Sequence, residues 1–251
     1  MSTTTGTYGY GPDFYDDEQV FPRYQEARAA TDEGNATLEE PYVTDFAGDL
    51  RGRSVLDLGC GDGRFGASAL AAGARRYHGV DGSARMLALA ATRLDPGTLE
   101  KADLTTWKTA EPGVWDVVTA RMVVHYLDDL PALLDEVHRC LTPGGTLVVS
   151  VEHPVVTCAY DGDWHDGVPS EMRVRGYFDE GPRDCEWLGA SVRKVHRTVE
   201  TYVGALAGAG LPLTALSEGR PRPENFRDRR TGTARRAVPT YLVLQARKPT
   251  A

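Results

Sequence analysis

Val55-Leu-Asp-Leu-Gly-Cys-Gly-Asp-Gly63 is the stretch that decides the fold. An apolar run carrying one acid, Asp57, leads directly into a turn with glycine at every second position: Gly59, Gly61 and Gly63. A short apolar run closed by glycines reads as a buried strand of a parallel sheet. Glycine has no Cβ, so a ligand can lie against the backbone of such a turn, with the next helix starting beneath it. Gly61-Asp-Gly-Arg-Phe-Gly66 also satisfies the G-x-G-x-x-G spacing of dinucleotide sites, a weak signal by itself. Asp57 separates the two readings. A carboxylate aimed into the turn repels a pyrophosphate and suits a ligand that carries an ammonium group and no phosphate.

Working outward, strand and helix signals alternate in the βαβ manner. Strand 54–58 precedes helix 64–72, strand 76–80 precedes helix 84–94, and a short strand follows at 98–102. Strand 115–120 precedes helix 130–141, which the Pro143-Gly144-Gly145 stop signal ends, and strand 146–151 follows. Helix 198–208 and strands 211–216 and 240–246 close the pattern. Two more acids stand at strand ends. Asp81, twenty residues beyond Gly61, is placed to accept both hydroxyls of a ribose, and Asp103 to accept from an adenine amino group. Alternatively, both simply cap the helices that follow.

The glycine turn, Gly79-Val-Asp-Gly-Ser-Ala-Arg-Met-Leu87, Ala102-Asp103-Leu104 and Leu141-Thr-Pro-Gly-Gly145 together resemble the class I S-adenosylmethionine-dependent methyltransferases, over roughly residues 20–247. The resemblance implies an α/β fold: a Rossmann-like, doubly wound, seven-stranded, mostly parallel sheet whose last strand is antiparallel. It implies S-adenosyl-L-methionine as cofactor, leaving S-adenosyl-L-homocysteine. The cofactor residues expected are Asp57, Gly59, Gly61, Asp81, Gly82, Met86, Asp103, Leu104, Arg121 and Tyr126, with Arg28 added from the segment before the sheet.

That segment divides the chain. Residues 1–19 are polar and acidic and read as a flexible tail; 20–50 read as a helical lid, 51–153 as the cofactor-binding core, 154–196 as a cap insertion, and 197–251 as the end of the core sheet. The lid's Phe21-Pro-Arg-Tyr, Tyr24-x-x-x-Arg28, Asn35 and Glu40-Pro41 resemble the lid of one small-molecule branch, as do Glu152-His-Pro154, Tyr177-Phe178 and His196-Arg-Thr198. In that branch the lid arginine holds the cofactor carboxylate, and the tyrosine and glutamate face the active site. The combination is most similar to the indole C3-methyltransferases of physostigmine-type alkaloid formation, natural-product enzymes of secondary metabolism. The acceptor so implied is a small aromatic molecule, a tryptamine-type indole that closes to a pyrroloindoline. A phenol or amine of a natural-product scaffold is the rival acceptor, and a protein that binds the cofactor without transferring methyl is the rival class.

Residues just past the fourth and fifth strands should face the reacting methyl. His153, at a strand end and held by Pro154, is the expected base, since its ordinary pKa near ~6.5 lies close to working pH; Tyr24 and Glu40 assist it. The bland alternatives are that His153 is a structural hydrogen-bonder, that Tyr24 and Glu40 only fasten the lid, and that His125 and Tyr126 pack on the adenosine. His196 reads as structural. The cap aromatics Tyr160, Trp164 and Trp187 offer stacking surface for an indole.

Composition sets bounds. The 251 residues, 41% hydrophobic, suffice for one sizeable domain with an insertion. A net charge of −8 argues against nucleic acid as a partner. The seven arginines within 220–236 read as a solvated loop more readily than as a phosphate patch, because no aromatic platform interleaves them. The four cysteines lack metal-type spacing, no metal is expected, and no run is apolar enough for a membrane span. A reduced, cytoplasmic protein without a signal peptide is the expectation. Oligomeric state has no signal.

Overall fold

A computed structural model of the chain describes residues 7–8, 11–165 and 168–250. The elements run β1 (Thr7–Tyr8), α1 (Gly11–Asp16), α2 (Val20–Ala29), a π-helical turn (Asn35–Glu39), α3 (Glu40–Ala47), β2 (Ser54–Leu58), α4 (Arg64–Ala71), β3 (Arg76–Asp81), α5 (Ala84–Ala90) and β4 (Leu99–Lys101). Then come β5 (Trp115–Arg121), α6 (Leu130–Cys140), β6 (Leu141–Glu152), α7 (Pro154–Thr157), β7 (Gly162–His165), β8 (Val168–Met172), β9 (Gly181–Trp187) and β10 (Ala190–His196). The chain ends with α8 (Val199–Gly208), β11 (Leu213–Ser217), α9 (Arg229–Ala234) and β12 (Tyr241–Arg247).

Seven strands form one sheet in the order β11-β12-β6-β5-β2-β3-β4. Neighbours from β6 to β4 are parallel, and β12 runs antiparallel to both β6 and β11. The α/β, Rossmann-like expectation holds, including the antiparallel final strand. Strand residues alternate between two apolar layers, as a sheet covered on both faces requires. Val55, Val117, Val148 and Val243 pack with α3 and α4, whereas Leu56, Val118, Leu147 and Leu242 pack with α6 and α8. The chain moves outward from β2 to β4 and then returns to β5 on the other side. Neighbouring strands thus diverge at the carboxyl ends of β2 and β5, where open sheets bind ligands.

Two expectations fail in detail, and the cap region acquires a defined structure. Residues 11–16 form a helix rather than loose chain, because Phe14 is fully buried against the cap. Strand β6 begins at Leu141, five residues early: Trp115 pairs with Leu141 and Val117 with Thr146, so Thr142–Gly145 bulges out without ending the strand. The 154–196 region is largely two hairpins. β7 pairs with β8, and β9 pairs with β10, to whose free edge β1 adds in parallel. No helix among the described residues is long and apolar enough to cross a membrane.

Candidate active site

The glycine turn is shaped by its own backbone. Gly59, Gly61 and Gly63 all have positive φ, 75°, 55° and 76°, a region closed to most side chains. A Cβ on Gly59 would meet Val123 Cβ at 2.7 Å, and one on Gly66 would meet the Tyr77 ring at 2.4 Å. Four of the turn's amides are engaged within the protein: Gly59 and Cys60 N–H donate to Val80 O, Gly63 N–H to Cys60 O, and Gly61 N–H to Asp81 Oδ2 at 2.8 Å. Asp62 stands at the start of α4 and pairs with Arg64 at 2.8 Å. Those four amides are closed to a pyrophosphate, and an acid, Asp62, stands beside them.

Asp57 needs correction. It does not point into the turn: it is 1% exposed, and its carboxylate accepts from Thr119 Oγ1 at 2.7 Å and Tyr77 Oη at 2.9 Å. Burial pushes its pKa up despite those two donors. It joins β2 to β3 and β5 beneath the turn and does not line the cavity above it.

Above the turn lies a cavity of about 520 Å³, well inside the ~300–1,000 Å³ range of small-ligand sites. Gly59, Gly61, Asp81, Gly82, Met86, Asp103 and Leu104 line one end. Asp81 accepts Gly61 N–H on one oxygen and Ser83 N–H on the other, each at 2.8 Å, which fixes the carboxylate and leaves lone pairs for a diol. Burial pushes its pKa up to about 6. Asp103 accepts the Thr105 N–H in a local turn and lies exposed at the rim, while Met86 and Leu104 are apolar walls for a flat base. These residues fit a nucleoside sulfonium.

The same cavity is also lined by Tyr15, Tyr24, Met122 and Val123 and by Arg121 and Tyr126, two more of the expected cofactor residues. Met122 is held at φ 50°, strain characteristic of functional turns, by its N–H bond to Ser150 O at 2.8 Å. The Tyr15 and Tyr126 hydroxyls lie 3.3 Å apart, and the Tyr24 ring meets Tyr15 edge-on at 5.0 Å. Burial pushes the Tyr24 hydroxyl up to about 12 and raises Tyr15 and Tyr126 too, so all three stay neutral hydrogen-bonding groups. Tyr15 is a wall residue that the sequence reading missed. The signal available was an aromatic helix start, Gly11-Pro-Asp-Phe-Tyr15, inside a segment discounted for its polarity.

Several expected site residues lie elsewhere. Arg28 is not in the cavity wall; it binds Glu33 and, at 3.0 Å, Glu40. Glu40 faces the two arginines, Arg28 and Arg121 at 3.5 Å, and its pKa is lowered: burial raises it, but the two cations prevail. The unforeseen partner is Glu39, fully buried by the π-helical turn, which binds Arg121 through both oxygens at 3.0 and 2.5 Å and accepts from Ser150 Oγ. His153 is corrected most sharply. It is 3% exposed, caps α7 by accepting Val155 N–H on Nδ1 at 3.2 Å, and places Nε2 3.1 Å from Glu218. Both nitrogens are engaged outside the cavity, and burial lowers its pKa. His196 is structural as expected, bound to Thr157 Oγ1 and Tyr177 O.

Of the cap aromatics, Tyr160 and Trp187 stand behind the tyrosine wall and do not line the cavity. Trp187 stacks on Phe14 at 5.4 Å and meets Tyr24 edge-on at 6.2 Å. Tyr160 donates to Glu152 at 2.8 Å. The side chain of Trp164 lies outside the described residues. Behind the wall Lys194, 3% exposed, pairs with Glu152 at 2.7 Å with its ammonium against the rings of Tyr126, Tyr160 and Trp187. No group of three or more metal-type side chains occurs among the described residues.

A fold and cavity of this kind define a class I methyltransferase, and similarity to known proteins agrees. A family model described as a methyltransferase domain matches residues 56–147. The crystal structure of an S-adenosylmethionine-dependent methyltransferase from Mesorhizobium loti is 32% identical, covering 88% of this chain and 99% of that one with a TM-score of 0.76. That of a putative S-adenosylmethionine-dependent methyltransferase from Listeria monocytogenes is 30% identical, covering 86% and 98% with a TM-score of 0.75. An uncharacterised protein of Haemophilus influenzae is 32% identical over 215 residues, 81% of this chain and 85% of its own length. The chain belongs to the S-adenosylmethionine-dependent methyltransferases. Its methyl donor is S-adenosyl-L-methionine.

Proposed function

We propose that the enzyme methylates a small aromatic acceptor, and that within this class the acceptor is a tryptamine-type indole methylated at C3. The observation that carries the reading is the cluster of Tyr15, Tyr24 and Tyr126 rings in the cavity lining, backed by Trp187 and Phe14, which we take as the acceptor wall. Flat rings with neutral hydroxyls favour a flat, uncharged guest carrying one hydrogen-bonding group. The indole assignment draws further on the lid and cap resemblance.

When bound, S-adenosylmethionine supplies an electrophilic methyl on a sulfonium. The tyrosine wall then has to hold C3 in line with that methyl, which is a matter of positioning. The C3–methyl bond forms as the sulfur–methyl bond breaks, with the electron pair going to sulfur. C2 becomes electrophilic, and a side-chain nitrogen of the acceptor adds there, losing its proton to solvent and closing the pyrroloindoline. Of the three side chains expected to manage a proton, Tyr24 alone lines the cavity, and as a neutral hydroxyl it orients the indole N–H by accepting its hydrogen bond. This assigns His153 and Glu40 no proton transfer.

A product assay tests the reading. The protein is incubated with S-adenosylmethionine and 3-alkylindoles bearing carbamate, amide or amine side chains, beside simple phenols and amines. Gain of one methyl with loss of indole absorbance is the expected result. A methylated phenol or amine with untouched indoles refutes the indole assignment and keeps the enzyme class.

A further inference from the structure

Helix α1 lies outside the sheet, yet it reaches both ends of the cavity. Pro12 covers the cofactor end: a Cβ on Gly82 would meet its ring carbons at 2.5 and 2.9 Å. Tyr15, on the same helix, lines the cavity beside Tyr24 and Tyr126, the wall proposed above for the acceptor.

Besides the contact of the Tyr15 hydroxyl with Tyr126 at 3.3 Å, the helix is attached to the cap and to α5, and these two attachments differ in kind. Toward the cap, Phe14 is fully buried and stacks on Trp187 with only 9° between the rings. Toward the core, Asp16 caps α5 from outside. Ser83 Oγ donates to its carboxylate at 2.5 Å, the Arg85 N–H at 3.0 Å and the Ala84 N–H at 3.1 Å, and Arg85 Nε donates to the Asp16 carbonyl at 2.9 Å. Ser83 meanwhile gives its own N–H to Asp81, so the joint lands on the very turn whose carboxylate faces the nucleoside end. An apolar stack finds no replacement partner in water, whereas the Asp16 carboxylate can exchange its donors for water molecules. Movement is therefore easiest at Asp16.

We propose that α1 is a gate and Asp16 its latch: the cofactor passes only while Asp16 is detached from α5, and the acceptor wall is complete only after the gate has closed. Two consequences follow for turnover. The cofactor binds before the acceptor, and S-adenosylhomocysteine leaves after the methylated product, at a rate set by unlatching. Asp16 touches neither ligand and is a positioning residue. The inference rests on the methyl donor of the family and is independent of which acceptor is used.

Stopped-flow fluorescence on the full chain, following association and dissociation of S-adenosylhomocysteine, tests it. A closed gate blocks entry as well as exit, so Asp16→Ala should accelerate both rates, dissociation by about tenfold or more. Arg85→Ala, which removes the bond to the Asp16 carbonyl together with the exposed pairing to Glu18 and the contact with the Phe21 ring but leaves the Asp16 carboxylate bonds in place, should move both rates the same way by less, and serves if Asp16→Ala folds poorly. A residue that merely braced the Asp81 turn would speed dissociation without speeding association. That pattern, or both rates within twofold of wild type, overturns the proposal.

Discussion

Asp81→Asn is a sharp test of the cofactor end, because the structure leaves the amide no comfortable orientation. Each carboxylate oxygen of Asp81 already accepts a backbone N–H, Gly61 on one side and Ser83 on the other, both at 2.8 Å. An amide must turn its NH2 toward one of those donors, leaving a donor facing a donor, a penalty of about 1–3 kcal/mol. It also replaces a charged acceptor for the ribose hydroxyls by a neutral one, a loss of about 1–2 kcal/mol. Together these weaken S-adenosylhomocysteine binding by about 3 kcal/mol, a factor of roughly 10² in Kd. Isothermal titration calorimetry at pH 8 measures this directly, and a pH series supplies an internal check. Burial pushes the Asp81 pKa up to about 6, so a proton competes with the ribose below that point. The wild-type Kd should be flat from pH 7 to 8 and weaken toward about tenfold per pH unit below 6. The Asn variant, having no such proton, should lack that limb. A variant that binds within threefold of wild type at pH 8, or a wild-type affinity unchanged at pH 5, refutes the assignment of Asp81 to the ribose.

Other outcomes follow from contacts around the cavity. His153→Ala should keep kcat within about threefold while lowering stability by about 1 kcal/mol through loss of the α7 cap; a hundredfold fall in turnover would restore the histidine as base. Glu39→Ala removes the bidentate partner of buried Arg121, leaving it Glu40 at 3.5 Å, and should destabilise the fold by up to about 3–5 kcal/mol in urea denaturation, with a loss below ~1 kcal/mol contradicting the pairing. Tyr77→Phe removes one of the two donors to buried Asp57, at about 1–3 kcal/mol. Since Asp57 holds its proton more tightly folded than unfolded, its ionisation weakens the fold as pH rises. The Tyr77→Phe deficit should therefore be larger at pH 7 than at pH 5, and thermal melting at the two values decides it.

Much of the fold was legible because its signals are local. Strand Ser54–Leu58 is as expected, helices and strands elsewhere fall within a few residues of expectation, and Gly59, Gly61, Asp81, Gly82, Met86, Asp103 and Leu104 come together at one end of the cavity. Each sits at a strand end or in a turn, so its place follows from strand order alone. The tail and the start of β6 were misread for one reason. Polar residues and a Pro-Gly-Gly run predict irregular chain, and a tertiary anchor overrode both: the Phe14 stack on Trp187 and the Trp115–Leu141 pairing.

The acceptor end divides differently between sequence and structure. From the sequence came the kinds of side chain gathered there, the tyrosines, acids, arginines and histidine of the lid and strand ends, together with the fold that brings them close. Which of them face the cavity was decided by packing. One extra residue per turn in the π-helical stretch Asn35–Glu39 sends Glu39 inward to Arg121 and leaves Glu40 between two arginines. One proline after His153 starts a short helix whose free N–H takes the imidazole out of play. Chain periodicity specifies that a residue lies near a strand end, whereas the direction of its side chain depends on partners far away in sequence. Arg121 finds Glu39 across 82 positions and Asp16 finds Ser83 across 67, and no local pattern encodes such distances.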